Sequence, residues 1–187
     1  MKKRNSVFIA TSLDGYISDR NGGIDWLHSI HNPEKIDMGY GKFISQIDAL
    51  IMGRKTFETV CGFNMDWPYQ KPVFVLSNVL TEIPNKFKNK AQLVKGTLSE
   101  ILEQIHQKGY YRLYIDGGTT IQNFLKEDLI DDMVITIIPI LLGAGSPLFS
   151  QIPKELEFEC TESKVYLKMI AQNHYRRIKI PSNTGDK

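Results

Sequence analysis

Residues 48–58 read Asp48-Ala-Leu-Ile-Met-Gly-Arg-Lys-Thr-Phe-Glu58, and the fold turns on this stretch. Its apolar part is short and ends on Gly53, which suits a buried strand, while Lys55 to Val60 can form a brief helix. A strand that feeds a helix is half of a crossover unit, the connection that parallel strands require. The junction Gly53-Arg54-Lys55-Thr56 also has chemical content. Glycine lets an anion approach the main chain, Thr56 can donate a hydroxyl, and Arg54 and Lys55 neutralise charge. Taken alone, the same four residues fit an ordinary basic turn equally well.

Upstream, Ser6 to Thr11 is a mostly apolar run closed by Asp14-Gly15, which reads as a first buried strand. A loop rich in Gly, Asp and Asn follows to about Ile30. Asn32-Pro33 then supplies a cap and a first-turn proline for a helix bearing Ile36, Tyr40, Phe43, Ile44 and Ile47 at helical spacing. Downstream, Lys71 to Ser77 is a third strand. Thr97 and Glu100 form a capping box for a helix with Leu98, Ile101, Leu102 and Ile105 on one face, and Gly109 ends it. Arg112 to Ile115 is a further strand, broken by Gly117-Gly118 before a helix from Thr119 to Lys126.

This alternation predicts an α/β fold with a mostly parallel central sheet and helices on both faces. Beyond residue 126 the pattern changes. Met133 to Ile138, Glu155 to Ser163 and Lys168 to Ile180 read as strands, and the short gap between the last two predicts a C-terminal antiparallel hairpin. At 187 residues the chain suits one domain, taken as 1–180, with 181–187 expected to be a mobile tail.

Composition narrows the function. A hydrophobic share of 42% and a charged share of 24% are ordinary globular values, and a net charge of +2 with scattered basic residues argues against nucleic acid. The longest apolar stretch, Met133 to Leu142, is half a membrane span and contains Pro139, so no membrane partner is expected and the compartment is read as the cytoplasm. Cys61 and Cys160 lack metal-like spacing with His28, His31, His106 or His174, so no metal is expected.

In open parallel sheets, ligands settle at the carboxyl ends of strands. Besides Gly53 to Thr56, two further strand ends could take phosphate: Ser77-Asn78, and Gly117-Gly118-Thr119-Thr120 at another strand-to-helix junction. Each has a bland reading as a turn. Three in one small domain point to a dinucleotide.

Five pieces carry a more specific signal: Phe8-Ile-Ala-Thr-Ser-Leu-Asp-Gly-Tyr-Ile17, the opening stretch 48–58, Val73-Phe-Val-Leu-Ser77, Tyr114-Ile-Asp-Gly-Gly-Thr-Thr120 and Asp132-Met-Val-Ile-Thr-Ile-Ile-Pro139. Their order and wording resemble the dihydrofolate reductase family, including dihydrofolate reductase-like proteins related to the reductase domain of bacterial riboflavin biosynthesis. The resemblance implies the family's three-layer fold and NADPH as cofactor. It places Arg54 with Ser77 or Asn78 on the 2′-phosphate, and Gly53, Lys55 and Thr56 on the pyrophosphate. Gly117, Gly118, Thr119, Thr120 and Ile121 would meet that group from the second helix. Main chain near Ala10, Thr11 and Ile17 would grip the nicotinamide carboxamide, Trp26 would roof the ring, and a cis peptide is expected between Gly117 and Gly118.

For the substrate, the family's ring-binding acid falls on Asp37, with Thr136 as the hydroxyl bracing it. A carboxylate half-buried on the predicted helix would have a raised pKa and could share a proton with a ring nitrogen; the competing reading is a first-turn acid favoured by the helix dipole. Lys71 stands where the family has a clamping arginine, which makes dihydrofolate itself a poorer fit than a smaller heterocycle. The implied reaction is hydride transfer from NADPH to a C=N bond of a pterin-like ring. The alternatives are reduction of a ribosylaminopyrimidine phosphate, for which no matching basic cluster stands out in the sequence, and a non-catalytic nucleotide-binding module. A homodimer is the guess that the relatives suggest.

Overall fold

The apolar runs and amphipathic segments assemble into three layers. The structure, a computed structural model, describes residues 2–63 and 66–179. In chain order the strands are β1 (Arg4–Ser12), β2 (Tyr16–Asp19), β3 (Ala49–Gly53), β4 (Val73–Leu76), β5 (Ala91–Val94), β6 (Arg112–Asp116), β7 (Asp132–Ile138), β8 (Gly145–Pro147), β9 (Phe158–Tyr166) and β10 (Ile170–Arg177). The α-helices are α1 (Tyr40–Ser45), α2 (Arg54–Cys61), α3 (Leu98–Gln107) and α4 (Gly118–Lys126).

Eight strands form one sheet in the order β5-β4-β3-β6-β1-β7-β10-β9. From β5 to β7 every pairing is parallel, and β10 and β9 add antiparallel at the end. This is the mostly parallel sheet with a C-terminal hairpin that the sequence predicts. β9 is an edge strand of alternating charge, and a bulge in its pairing lies between His174 and Tyr175. The end of the last predicted strand at Ile180 and the predicted tail 181–187 lie outside the described residues.

Alternation along the strands sends side chains to two cores. On one face α3 and α4 cover Val7, Ile51, Phe74, Leu113 and Ile115, all fully buried. On the other, α2 and α1 cover Leu50, Met52, Val75 and Tyr114. The capping box of α3 is present as read, with the Thr97 hydroxyl accepting from Glu100 N and the Glu100 carboxylate accepting from Thr97 N at 2.8 Å. At the amino end of the sheet, Asp48 accepts from the Tyr111 and Arg112 amides at 3.0 and 2.8 Å and pairs with the Arg112 guanidinium, which fixes β3 against β6.

The predicted helix at Asn32 is a correction. Asn32 instead closes a turn with its own side chain, accepting from Ile36 N and donating to Ile36 O, and Lys35, Met38 and Gly39 all take positive φ. Left-handed residues cannot continue a right-handed helix, so α1 starts only at Tyr40. β2 falls in the stretch that reads as loop, and β5 and β8 are further strands that the local pattern does not mark. The expected cis peptide at Gly117–Gly118 is also corrected, since no cis bond occurs among the described residues. Gly117 makes the sharp entry to α4 through φ +88° instead.

That φ value, together with the Thr56 hydroxyl lying where a β-carbon would go, leaves Gly117 no room for a side chain. Gly117→Ala should therefore lower stability by about 1–3 kcal/mol, read from urea unfolding midpoints; an unchanged midpoint would show that the junction relaxes freely.

Candidate active site

Because β5 through β7 run parallel, their carboxyl ends share one edge of the sheet. The three phosphate-ready ends belong to β4, β3 and β6, which are consecutive in the sheet, so residues far apart in sequence come together there. The β3 and β6 junctions interlock reciprocally. A β-carbon on Gly53 would fall 2.8 Å from Thr120 Oγ1, and one on Gly117 would overlap Thr56 Oγ1. Gly118 in turn lies under Ile17, whose Cδ1 would be 2.5 Å from an added β-carbon.

Neither α2 nor α4 has a side-chain cap, in contrast to α3. The first amides of both helices are thus left to an outside acceptor, and both positive dipole ends point to the same edge. Gly118, Thr119 and Thr120 fit this role. Ile121 does not, because its amide already donates to Gly117 O at 2.9 Å and its side chain is fully buried. Lys55, Asn78 and Thr119 are exposed. Arg54 lies at the edge with its guanidinium pinned by Glu58 at 2.7 and 2.8 Å, an exposed pairing that an arriving phosphate can displace at small cost. Ser77 and Asn78 line a 390 Å³ cavity together with Gly96, Thr97, Asn123 and Lys126. The Ser77 hydroxyl accepts from Leu80 N at 2.9 Å, which leaves its proton free to donate.

Next to these ends, Ala10 and Thr11 sit near the carboxyl end of β1. Ile17 is presented by the small β2–β8 ribbon. The ribbon is held by Asp14, whose carboxylate accepts from Ser12 Oγ at 2.6 Å and from the Leu142 and Gly143 amides. Those hydrogen bonds, that from Ser12 first, keep the Asp14 carboxyl below its ordinary pKa. Trp26 is 8% exposed and packs with Ala10, Met38, Ile138 and Ile170; its indole N–H is buried with no hydrogen-bond partner among the described residues.

Asp37 is not where the sequence reading put it. It is exposed, it precedes α1, and its oxygens accept from the Gly39 and Gly41 amides at 2.9 Å each. These bonds lower its pKa rather than raise it, so the half-buried proton carrier expected at this position is corrected to an ionised loop brace. Thr136 does lie by Ala10 in the register of β1 and β7. Its hydroxyl accepts from the buried Gln172 amide at 2.8 Å, and the same amide donates to Met38 O at 3.0 Å.

The acid that sequence reasoning missed is Asp116, at the carboxyl end of β6. Burial pushes its carboxyl pKa up, against the Gly117 amide at 2.8 Å and the tyrosine hydroxyls, which pull it down. Tyr69 donates to it at 3.4 Å, and burial raises the pKa of Tyr69, Tyr114 and Tyr40 as well. The arrangement is a carboxyl biased toward its protonated form, one residue from Gly117 and within a wall of phenols. One signal was present in the sequence: an aspartate two residues after a strand tyrosine shares its face, and here it directly precedes the paired glycines.

Comparison with known proteins bears on family and fold. The sequence pattern of the RibD C-terminal domain matches residues 6–171. YwjB of Bacillus subtilis strain 168, an uncharacterized protein, is 32% identical over 179 residues, which are 95% of this chain and 99% of the relative. A crystal structure from Shewanella sp. PV-4, of a protein provisionally ascribed to riboflavin biosynthesis, is 53% identical with a TM-score of 0.92, over 94% of this chain and 99% of that one. The Thermotoga maritima diaminohydroxyphosphoribosylaminopyrimidine deaminase/5-amino-6-(5-phosphoribosylamino)uracil reductase is 15% identical with a TM-score of 0.72, over 95% of this chain and 57% of that one. At the level of fold alone, dihydrofolate reductase from Enterococcus faecalis, complexed with NADP(H), aligns with a TM-score of 0.62 at 18% identity, over 94% of this chain and 97% of that one.

A raised carboxyl has a consequence for stability. Between the ordinary carboxylate pKa and the higher folded value, the folded state holds a proton that the unfolded state has lost. Stability therefore falls as pH rises through that window and levels off above it. Asp116→Asn removes this dependence while keeping the shape. The variant should be more stable than the parent at neutral pH and converge with it below about pH 4; a difference that does not change with pH in urea titrations would reject the assignment.

Proposed function

This chain belongs to the RibD C-terminal domain family, and on that basis we propose that it is a riboflavin-pathway-type reductase that uses NADPH to reduce a C=N bond of a small heterocycle. The observation that carries the reading is the pair of uncapped helix N-termini, interlocked through Gly53–Thr120 and Gly117–Thr56, with the protonatable Asp116 one residue away. The residues fit the cofactor: glycines clear the main chain, free amides face the edge, and Arg54 with Ser77 or Asn78 stands ready for a 2′-phosphate. When bound, NADPH supplies the hydride.

The chain's own groups do the rest. Amides of Lys55, Thr56, Gly118, Thr119 and Thr120 hold the pyrophosphate, and Ala10, Thr11 and Ile17 orient the carboxamide end. Trp26 and Met38 form an apolar wall that keeps water out. Asp116, whose proton affinity burial raises and which Tyr69 holds in place, delivers the proton that balances reduction of the substrate nitrogen. Beside Ala10, Thr136 is fixed by the buried hydrogen bond that it accepts from Gln172.

Asp37 takes no part as a proton donor. With that acid ionised in the loop and Lys71 in place of an arginine, the pocket favours an aminopyrimidine over a dihydrofolate-like pterin. Two measurements test the reading. Arg54→Ala should weaken NADPH about ten- to a hundredfold, the worth of a charge-assisted contact, and leave NADH nearly unchanged. Cofactor oxidation should accompany an aminopyrimidine substrate and cease in Asp116→Asn. Equal losses for both dinucleotides would remove Arg54 from the 2′-phosphate, and turnover unaffected in Asp116→Asn would clear that acid of proton delivery.

A further inference from the structure

The loop between α2 and β4 carries two aromatic side chains, Trp67 and Tyr69, whose rings meet edge to face at 5.4 Å. Trp67 packs in turn on Phe87 at 5.4 Å and on Phe57 at 6.1 Å, and Phe57 is fully buried on α2. Aromatic pairs of this kind fix ring orientation as well as burying area. The Tyr69 ring is therefore held by its neighbours' packing. Its hydroxyl is free for another use.

That hydroxyl faces one particular atom. The two oxygens of Asp116 differ in their surroundings: Oδ1 accepts from the Gly117 amide at 2.8 Å, and Oδ2 stands 3.4 Å from Tyr69 Oη. An amide can only donate, so Oδ1 stays an acceptor and the proton of the neutral carboxyl belongs on Oδ2. Tyr114 reaches the same carboxyl from β6, but its own proton is committed to Phe8 O at 2.8 Å. Tyr40, at the start of α1, lies within electrostatic reach of both Asp116 and Tyr69. Among the described residues no cation and no second carboxylate acts on Asp116. Tyr69 thus holds the proton that can turn, since a phenol both donates and accepts. Its 3.4 Å separation is longer than the roughly 2.7–2.8 Å usual between hydroxyl and oxygen, which leaves room to tighten when a substrate fills the site.

We propose that Tyr69 is a positioning residue for the proton step: it receives the hydrogen bond of the Asp116 Oδ2–H group before transfer and turns to donate to the same oxygen once the proton has passed to the substrate nitrogen. The role rests on the reading of Asp116 as the proton donor. The Oδ2–H bond breaks as the N–H bond forms, and the carboxylate left behind gains a donor instead of standing bare in a buried place. Tyr69 rotates about its C–O bond and keeps its own proton throughout.

Carbon-13 NMR titration of the full chain, labelled at its aspartate carboxyls and free of any ligand, tests this, with the Asp116 signal assigned by its loss in Asp116→Asn. Tyr69→Phe keeps the ring and its packing, so the thermal midpoint and the Asp14 signal should be unchanged. The Asp116 midpoint should move to higher pH, because the bond to the ionised oxygen is the stronger of the two that the hydroxyl makes. In turnover with NADPH and an aminopyrimidine that the parent reduces, the variant should lose about tenfold in kcat at an unchanged KM for NADPH. The alkaline limb of its pH profile should move up with the carboxyl, giving a slower enzyme that works to higher pH, which a merely structural tyrosine would not produce. An Asp116 midpoint that stays or falls, or a limb that does not follow it, would overturn the role of Tyr69. If the parent oxidises no NADPH, or Asp116→Asn keeps turnover, the reductase reading fails and takes this role with it. A parent that turns over, with Asp116→Asn inactive and Tyr69→Phe indistinguishable from the parent, removes Tyr69 alone.

Discussion

Two glycine–threonine contacts set the geometry on which everything else depends. Thr120 fills the space beside Gly53, and Thr56 fills the space beside Gly117, so each strand-to-helix junction supplies the hydroxyl that packs on the other's bare backbone. A β-carbon at either glycine would push the two junctions apart. Without one, α2 and α4 begin side by side and their partial positive ends add at one point of the sheet edge. The parallel register from β4 through β1 then brings Ser77, Ala10 and Asp116 to the same edge.

Electrostatics sort the carboxylates into two kinds. Asp14, Asp37 and Asp128 are struts: each accepts from nearby donors, chiefly Ser12, Gly39 and Arg177 respectively, and each is held ionised below its usual range. Among the described residues, Asp116 is the carboxyl that moves the other way, because its surroundings are phenols and apolar side chains rather than cations. A strut gains nothing from a proton. A group meant to deliver one must hold it first, and burial provides that.

Much of this was legible from residue order. The three strand ends could be named because short apolar runs ending in Gly or Ser are local signals, and α3 was readable from the Thr97–Glu100 box alone. Asp37 misled because a helical stripe from Ile36 to Ile47 says nothing about Lys35, Met38 and Gly39, whose left-handed backbone stops the helix short of it. β5 is four residues long with Gln92 exposed, and β2 and β8 pair across more than a hundred residues, so no local pattern marks them. Asp116 was in plain view within Tyr114 to Thr120, yet its raised proton affinity comes from burial, and part of the wall around it is Tyr69, brought there from forty-seven residues away. Burial by distant segments leaves no trace in a local motif.

The hairpin that closes the sheet also decides what cannot join it. β9 shows one open row of amides and carbonyls, nine residues long, the sort of ledge on which another chain could crystallise into a ribbon. Glu159, Glu162 and Lys164 stud that ledge, and the irregularity between His174 and Tyr175 twists it out of line. An incoming strand would have to strip water from those charges and match a kinked template. A second copy approaching side-on would meet hydrated charge and a kinked template there, which disfavours open-ended stacking through β9.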